Sequence, residues 1–396
     1  MKYDFVVIGG GPAGLSVALQ AKKNGFSALV LEKGGIVNAI QNFPRDMVFF
    51  SSLEQLEIGD VTFELSSSDT RSVGGVLVQR GIYRFKKGFR ALTNSSAWRN
   101  ASNPTSSTGQ PLSRPGDKSF LRKIAAVMRS TIEALPSPHP TRAETVEYYR
   151  RVAESYQIEF KGNSEVVSVK RESGGEGCFS IGFKGPATSD LSFVSADKVV
   201  VATGFFDNPN MLGVPGETLP NVSHFYMEGE THSGQRIIVI GGNNSAVDAA
   251  LDLHAHGAVV TLVHRGKTFS KDVKPWVRPK IDALLKEDKV TALFNCRILE
   301  IHPDSVDAEM NGNRRTMPCD FLYAMIGYHP DVSFLRNIGI EVNDKTGIPN
   351  HNPQTFETNV PGIYVAGAVT AGFDCDKVFI ENGREHGKAI LKSTMN

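Results

Sequence analysis

Short apolar runs alternate with helical spacing in two parts of the chain, which is the pattern of parallel strands crossed by helices. Residues 5–8 and 28–31 are continuous apolar runs, and the stretch from Leu15 to Lys23 between them has helical spacing. A second unit of the same design spans 237–263. Continuous apolar runs are typical of strands buried on both faces of a parallel sheet. The pattern predicts an α/β fold with two doubly wound dinucleotide-binding domains.

A glycine-rich turn joins the first strand to its helix. Gly9 permits the tight turn, Gly11 lets the backbone approach a pyrophosphate, and Gly14 lets the helix pack on the strand. Glu32 ends the next strand 23 positions after Gly9, where a carboxylate binds ribose hydroxyls. The unit predicts a bound dinucleotide, and the alternative is a glycine-rich turn without a ligand. The predicted contacts here are Gly9, Gly11, Pro12, Ala13, Gly14, Glu32 and Lys33.

The second glycine turn matches this pattern less closely. Gly241 and Ala246 fit the first and third small positions, whereas Asn243 replaces the middle glycine. A helix is predicted from Ala246 to His256, and the strand after it ends in basic residues. Arg265 there suits the 2′-phosphate of NADPH, although a solvated basic turn is the alternative. The predicted contacts are Gly241, Asn243, Asn244, Ser245, Ala246, His264, Arg265 and Lys267.

Two dinucleotide units in one chain indicate electron transfer between a nicotinamide and a second cofactor, which we interpret as FAD. A strand ending in Ala202, Thr203 and Gly204 supports this, because such turns pass close to the flavin in two-dinucleotide reductases. A C-terminal strand ends in Gly367-Ala368. A helix expected at roughly 378–391 would direct its N-terminal N–H groups at the flavin. The flavin domain is therefore expected to come from both ends of the chain.

Composition narrows the class of protein further. The chain has 396 residues, a net charge of +1 and four cysteines, none in metal-ligand spacing. No apolar run reaches the ~18 residues of a membrane helix. A strand is predicted to begin by residue 3, so we expect no signal peptide. We therefore expect a cytoplasmic protein that binds no metal, no membrane and no nucleic acid.

A basic segment at about 66–138 differs from the rest. Residues 69–133 contain 12 Lys and Arg against 3 Asp and Glu. The stretch 93–116 is rich in Ser, Asn, Thr and Pro and predicts a long loop or disorder. Residues 120–135 predict a basic amphipathic helix. We interpret the segment as a poorly ordered insertion, with contact to an acidic partner, nucleic acid or a membrane surface as the alternative.

The chain resembles the thioredoxin-reductase-like flavoproteins, and among them most closely the bacillithiol-disulfide-reductase-like group. The resemblance covers nearly the whole chain except roughly 66–138. It implies FAD, NADPH, a homodimer and reduction of a low-molecular-weight disulfide. The segments that carry it are IGGGPAGLS (8–16), FFSS to IGDV (49–61), EYYRRVA (147–153), IGGNNSAVDAALDL (240–253), HRG to KPW (264–276), AMIGYHPD (324–331) and VFIENGREHG (378–387).

Three departures from the family pattern concern the chemistry. No Cys-x-x-Cys is present, which argues against direct reduction of thioredoxin. The family's flavin-contacting Gly-Asp pair is Gly367-Ala368. Group members with a proposed active cysteine carry it at the position of Ala13. Cys375, flanked by Asp374 and Asp376, is a candidate catalytic thiol, but an ordinary loop cysteine is the favoured interpretation. Cys178, Cys296 and Cys319 are expected to be buried packing residues.

These observations predict a flavin domain at 1–214 and 329–396 and a nicotinamide domain at 215–328. Crossing segments near 212–216 and 327–330 would let the domains rotate. The predicted function is an NADPH-dependent FAD oxidoreductase that reduces a low-molecular-weight disulfide such as bacillithiol disulfide. Two alternatives remain open: a ferredoxin-NADP reductase-like enzyme with a protein acceptor, and a non-enzymatic redox-sensing flavoprotein.

Overall fold

The computed structural model describes residues 1–64, 139–172, 178–185 and 190–395. The predicted insertion at about 66–138, with its expected loop and amphipathic helix, lies outside the described residues. Among the described helices, none is long and apolar enough to cross a membrane.

The first sheet has the strand order β3-β2-β1-β6-β5-β4, and β15 pairs with β6. β1 pairs in parallel with β2 and β6, whereas β5 is antiparallel to both of its neighbours, β4 and β6. Its strands are β1 (Lys2–Ile8), β2 (Ala28–Leu31), β3 (Glu159–Lys161), β4 (Glu165–Arg171), β5 (Phe179–Lys184), β6 (Leu191–Val201) and β15 (Ile363–Val365).

The second sheet is parallel throughout and has the order β10-β9-β8-β14-β7. A separate antiparallel sheet has the order β11-β12-β13. The strands are β7 (Val222–Ser223), β8 (Arg236–Ile240), β9 (Val259–Val263), β10 (Thr291–Leu293), β11 (Cys296–Ile301), β12 (Ser305–Met310), β13 (Asn313–Pro318) and β14 (Phe321–Ala324).

The helices connect and cover these sheets. They are α1 (Pro12–Lys23), α2 (Asn38–Gln41), α3 (Leu53–Leu56), α4 (Arg142–Ser155), α5 (Asn244–Ala255), α6 (Arg278–Lys286), α7 (Val332–Asn337), α8 (Ile380–Gly383) and α9 (His386–Thr394). Three 3₁₀ turns add Glu230–His232, Gly367–Ala371 and Cys375–Lys377. The α/β fold class predicted from the sequence is confirmed, with the second sheet formed by residues that lie between β6 and β15 of the first.

Strand alternation divides the core. Phe5 and Val7 of β1 face the cluster that contains α1 and α4, whereas Val6 and Ile8 face a cluster on the opposite side of the sheet. In the second sheet, Val239 packs with α5, and Ile240 packs with the three-stranded sheet. Both central strands are therefore buried on both faces, which explains their continuous apolar sequences.

The predicted helix bounds need correction in three places. α1 begins at Pro12 rather than Leu15, because proline suits the first helical position. α5 begins at Asn244 rather than Ala246. The single helix expected at roughly 378–391 is wrong, since α8 ends at Gly383 and α9 starts at His386. Glycines 383 and 387 have low helix propensity, and both pack against neighbouring backbone, at Gly367 and Ser16.

Candidate flavin and nicotinamide site

Each of three glycines in the first turn occupies its position for a different structural reason. Gly9 has φ +109°, and a Cβ there would lie under 3.0 Å from the carbonyl group of Ala202. A Cβ at Gly14 would collide with the carbonyl oxygen of Gly9. A Cβ at Gly11 would meet no protein atom within 4 Å. Gly9 and Gly14 are thus required by packing, while Gly11 faces open space at the N-terminus of α1.

Glu32 lies at the rim of this turn, where β2 ends. Its carboxylate accepts hydrogen bonds from the backbone N–H groups of Gly10 (2.6 Å) and Gly34 (2.9 Å). The side chain is buried, and burial raises the pKa of the carboxyl group even though both hydrogen bonds favour the charged form. The neighbouring Lys33 forms an ion pair with Asp207, with Nζ 3.0 Å from the carboxylate.

The parallel pairing of the strands brings the other predicted flavin-binding segments to the edge of the sheet where the first glycine turn lies. Ile8 of β1 pairs with Val201, so Ala202 follows directly beside the first turn. Thr203 and Gly204, which has φ +67°, continue from it. Gly367 has φ +75°, and a Cβ there would lie 2.7 Å from the Cβ of Ala13. The half-buried Ala368 follows, so three distant segments meet around the N-terminus of α1.

His386 supports the C-terminal part of this site and was not identified from the sequence. Its Nδ1 accepts a hydrogen bond from the N–H of Gly367 at 3.1 Å. The ring stacks on Phe356, with centroids 4.0 Å apart. Burial, together with the smaller effect of His351 in the same stack, lowers the pKa of His386 to about 4. The ring is therefore neutral at pH 7, with its proton on Nε2.

Ser51 and Glu381 form a second contact that the sequence did not reveal. The buried Ser51 hydroxyl donates a hydrogen bond to Oε1 of Glu381, which joins the 49–52 segment to α8. Oε2 of Glu381 is buried and accepts no hydrogen bond from a described residue. Beside this pair, the exposed rings of Phe50 and Phe379 meet edge-on at 5.5 Å. Both segments belong to motifs, but neither residue type by itself indicates a contact.

These residues fit a flavin dinucleotide. The open space at Gly11 suits close approach of a pyrophosphate. Glu32 supplies acceptors for ribose hydroxyls, and the orphan oxygen of Glu381 offers one further acceptor for a donor group of a bound molecule. The open space at Gly11 and the carboxylate acceptors of Glu32 and Glu381 lie in segments that pack on one another through α1, Gly367 and α8.

The second turn is built differently at its middle position. Gly241 has φ +149°, and a Cβ there would lie 2.5 Å from the carbonyl oxygen of Met325 and 2.6 Å from the Cβ of Ala246. Asn243 has φ −116°, so the backbone at that position does not require glycine. Its side chain caps α5 by accepting a hydrogen bond from the N–H of Asn244. The predicted contact Ser245 follows in the first turn of α5.

The three basic residues predicted after β9 lie in different environments. The half-buried ring of His264 packs beneath the glycine turn, where a Cβ on Gly242 would meet it at 2.5 Å. Burial and the neighbouring Arg265 lower the pKa of His264, so the ring is neutral and packs instead of supplying charge. Arg265 and Lys267 are exposed, and neither forms an ion pair with a carboxylate in the described part of the chain. These two side chains remain the candidate 2′-phosphate ligands.

All four cysteines are buried and none forms a disulfide. Burial raises the pKa of Cys178 and Cys296, and it raises the pKa of Cys319 to about 11. The packing role expected for these three is in agreement with their burial. The thiol of Cys375 donates to the carbonyl oxygen of Gly372 at 3.0 Å and begins a 3₁₀ turn of three residues. Its low exposure does not suit a nucleophile.

The fold and the two turns define a flavoprotein that binds two dinucleotides, and comparisons with known proteins assign its family. A model of the pyridine nucleotide-disulphide oxidoreductase family matches residues 6–74 and 105–367. The chain belongs to this family, and it is an oxidoreductase that uses FAD and NADPH.

Individual relatives extend this assignment. The chain is 34% identical over 395 residues to bacilliredoxin reductase Bdr of Bacillus subtilis (strain 168), covering 97% of this chain and 95% of the relative. The structure of bacillithiol disulfide reductase Bdr from Bacillus cereus superposes with a TM-score of 0.78, at 32% identity and with 99% and 98% of the two chains covered. A ferredoxin-NADP reductase of Ignicoccus hospitalis is 29% identical over 185 residues, which cover 43% of this chain and 56% of the relative.

Two glycine variants test the division of roles in the first turn. We expect Gly11→Ala to leave the stability of the flavin-free protein nearly unchanged and to weaken FAD binding, because the new methyl group enters the open space at the cradle. Gly14→Ala should instead destabilise the fold by about 1–3 kcal/mol through overpacking. Urea unfolding and flavin titration measure the two effects. Unchanged FAD affinity in Gly11→Ala would show that the pyrophosphate does not bind at this position.

The neutral state of His386 predicts a pH dependence. An unfolded histidine has a pKa near 6.5, so between about pH 6.5 and 4 the unfolded state binds a proton that the folded state does not. The free energy of unfolding should therefore fall by about 3 kcal/mol as the pH drops through this window.

His386→Asn is the matched variant, because its amide oxygen can still accept from Gly367 but does not titrate. Chemical denaturation of both proteins at a series of pH values gives the comparison. Equal slopes for wild type and His386→Asn would show that folding does not lower the pKa of His386.

Proposed function

We propose that this protein is an NADPH-dependent reductase of a low-molecular-weight disulfide, with bacillithiol disulfide as the leading substrate. The observation that carries the proposal is the likeness to bacilliredoxin reductase Bdr over nearly the full length of both chains. The balanced reaction consumes NADPH, one proton and one disulfide, and it yields NADP⁺ and two thiols. Bound FAD supplies hydride acceptance from NADPH and two-electron delivery to the acceptor.

We propose the following holding contacts for the two cofactors. The first turn and Glu32 hold the FAD pyrophosphate and adenosine ribose, and the Ala202 to Gly204 turn and Gly367-Ala368 lie against the flavin. The second turn holds NADPH, with Arg265 and Lys267 as ligands of its 2′-phosphate.

The residue at position 13 bears on how electrons leave the protein. Its methyl group packs towards Gly367, at the place where relatives with a proposed active cysteine carry a thiol. The four cysteines of the chain are buried, and Cys375 is hydrogen bonded to backbone carbonyl groups. We therefore propose that electrons reach the acceptor without an intermediate protein disulfide.

The lack of a thiol at position 13 is also compatible with a second candidate function, that of a ferredoxin-NADP reductase. A ferredoxin-NADP reductase needs no cysteine, because its acceptor takes electrons directly. The partial likeness to such an enzyme is consistent with this, although it covers less than half of the chain. A protein acceptor is therefore the second candidate.

The remaining proposals concern organisation and setting. We propose domain boundaries at 1–214 with 329–396, and at 215–328, for a cytoplasmic homodimer that binds neither nucleic acid nor membrane. Positive φ angles at Gly213, Gly216 and Gly327 support hinges in the two crossing segments. Ion pairing between Arg45 and Glu228, with N and O atoms 3.1 Å apart, joins the two parts in the present arrangement.

Steady-state NADPH oxidation by the FAD-loaded protein tests the substrate proposal. We expect turnover with bacillithiol disulfide and little turnover with ferredoxin or oxygen. Cys375→Ser should retain this activity, because the buried thiol takes no part in the electron path. Loss of disulfide reduction in Cys375→Ser with retained reduction of an artificial dye would instead make Cys375 catalytic, and turnover restricted to ferredoxin would support the second candidate.

The basic residues after β9 predict cofactor preference. Arg265→Ala should weaken NADPH binding by about 1.5–3 kcal/mol through loss of a charge-assisted contact and leave NADH almost unaffected. The KM for each nucleotide, measured with an artificial acceptor, gives the comparison. An equal loss for both nucleotides would exclude Arg265 as the 2′-phosphate ligand.

A further inference from the structure

The loop after β9 wraps around the second glycine turn and is tied to the start of α5. The N–H of Ser270 donates to the carbonyl oxygen of Gly242 at 2.7 Å. The side chain of Asn244 donates to the carbonyl oxygen of Asp272 at 3.0 Å and accepts from the N–H of Lys274 at 2.9 Å. These bonds place the backbone of Lys274 beside the first residue of α5.

The side chain of Lys274 runs along α5 and pairs with Asp248. Nζ lies 3.0 Å from Oδ2 of the carboxylate, and the lysine side chain is 18% exposed against 38% for Asp248. Asp248 follows Asn244 by four residues, so both lie on the same face of α5. The ammonium group is therefore held one helical turn into α5, while the backbone of the same residue lies beside Asn244 at the start of the helix.

The middle position of the turn explains why a cation is useful there. The side chain of Asn243 accepts from the N–H of Asn244, so this donor is already engaged by the protein itself. A turn with glycine at that position would leave this N–H group to the pyrophosphate. The loop 270–274 anchors the backbone of Lys274 beside this engaged N–H group, and the ammonium group on its flexible side chain lies one helical turn away.

We propose that Lys274 is a ligand of the pyrophosphate of NADPH, and that Asp248 holds its ammonium group in place until the nucleotide binds. On binding, Nζ exchanges the carboxylate for the phosphate oxygens. Lys274 thereby contacts the part that NADPH shares with NADH, whereas Arg265 contacts the 2′-phosphate. The proposal rests on NADPH binding at the second turn and is independent of the electron acceptor.

Nucleotide fragments separate the two roles in the FAD-loaded protein. ADP carries the pyrophosphate without a 2′-phosphate, and adenosine 2′-monophosphate carries the 2′-phosphate without the pyrophosphate. Lys274→Gln should weaken ADP binding about 10- to 100-fold, as expected for a lost charge-assisted contact, and leave adenosine 2′-monophosphate within about twofold. Arg265→Ala should show the reverse pattern. Calorimetric titration of both fragments into the wild type and the two variants measures the six dissociation constants.

Matched variants distinguish a ligand from a residue that merely fastens the loop. Lys271→Ala removes an exposed charge three residues away and should leave ADP binding unchanged. Lys274→Arg keeps the charge and should retain most of the ADP affinity. Asp248→Asn breaks the ion pair but leaves Lys274 charged, so ADP binding should be maintained or strengthened.

Three results would overturn the proposal. The first is unchanged ADP affinity in Lys274→Gln. The second is an equal loss of both fragments in that variant, which would indicate collapse of the loop. The third is a loss in Asp248→Asn as large as in Lys274→Gln, because the ion pair would then act by holding the loop. Should Lys274→Gln fail to fold, Lys274→Met and Asp248→Asn decide the same question.

Discussion

The close approach of backbone segments at the carboxyl end of the first sheet is the constraint on which the flavin site depends. Gly9 lies against the carbonyl of Ala202, Gly14 lies against the carbonyl of Gly9, and Gly367 lies against Ala13. Any side chain at these glycines would separate the strands, the helix and the C-terminal turn. The absence of Cβ atoms therefore allows segments more than 150 residues apart to form one continuous surface.

The two glycine turns solve a similar binding problem with different chemistry. The first keeps its middle position open at Gly11 and relies on backbone N–H groups. The second places a side chain at Asn243, which caps the helix, and it is surrounded by a loop that carries Lys274, Arg265 and Lys267. Side-chain cations are longer and more flexible than backbone donors. Such a site suits a nucleotide that binds and leaves in each turnover, whereas the first suits a resident cofactor.

The proposed route of electrons out of this protein does not pass through a protein thiol. Ala13 occupies the position next to Gly367, and the buried cysteines are engaged in packing or in hydrogen bonds to carbonyl groups. A low-pKa, accessible thiol requires positive charge and solvent contact, and burial acts in the opposite direction at Cys178, Cys296 and Cys319. On the proposed route, the flavin therefore reduces the acceptor without a redox-active cysteine pair in the protein.

The sequence by itself determined the α/β class, the two dinucleotide turns and the distinct reasons for Gly9, Gly11 and Gly14, because these depend on local spacing and backbone geometry.

The tertiary structure decided contacts between residues far apart in the chain. The Ser51–Glu381 pair spans 330 positions, and the bond from Gly367 to His386 depends on how α9 packs. The split of the expected helix at 378–391 has the same origin, since Gly383 and Gly387 accommodate neighbouring backbone. His264 was expected to supply charge from its place in a basic run, but its burial beneath Gly242 makes it a neutral packing group. Periodicity records which face of an element is apolar, whereas the partner of a polar side chain is set by packing, and a single sequence does not encode that as a local pattern.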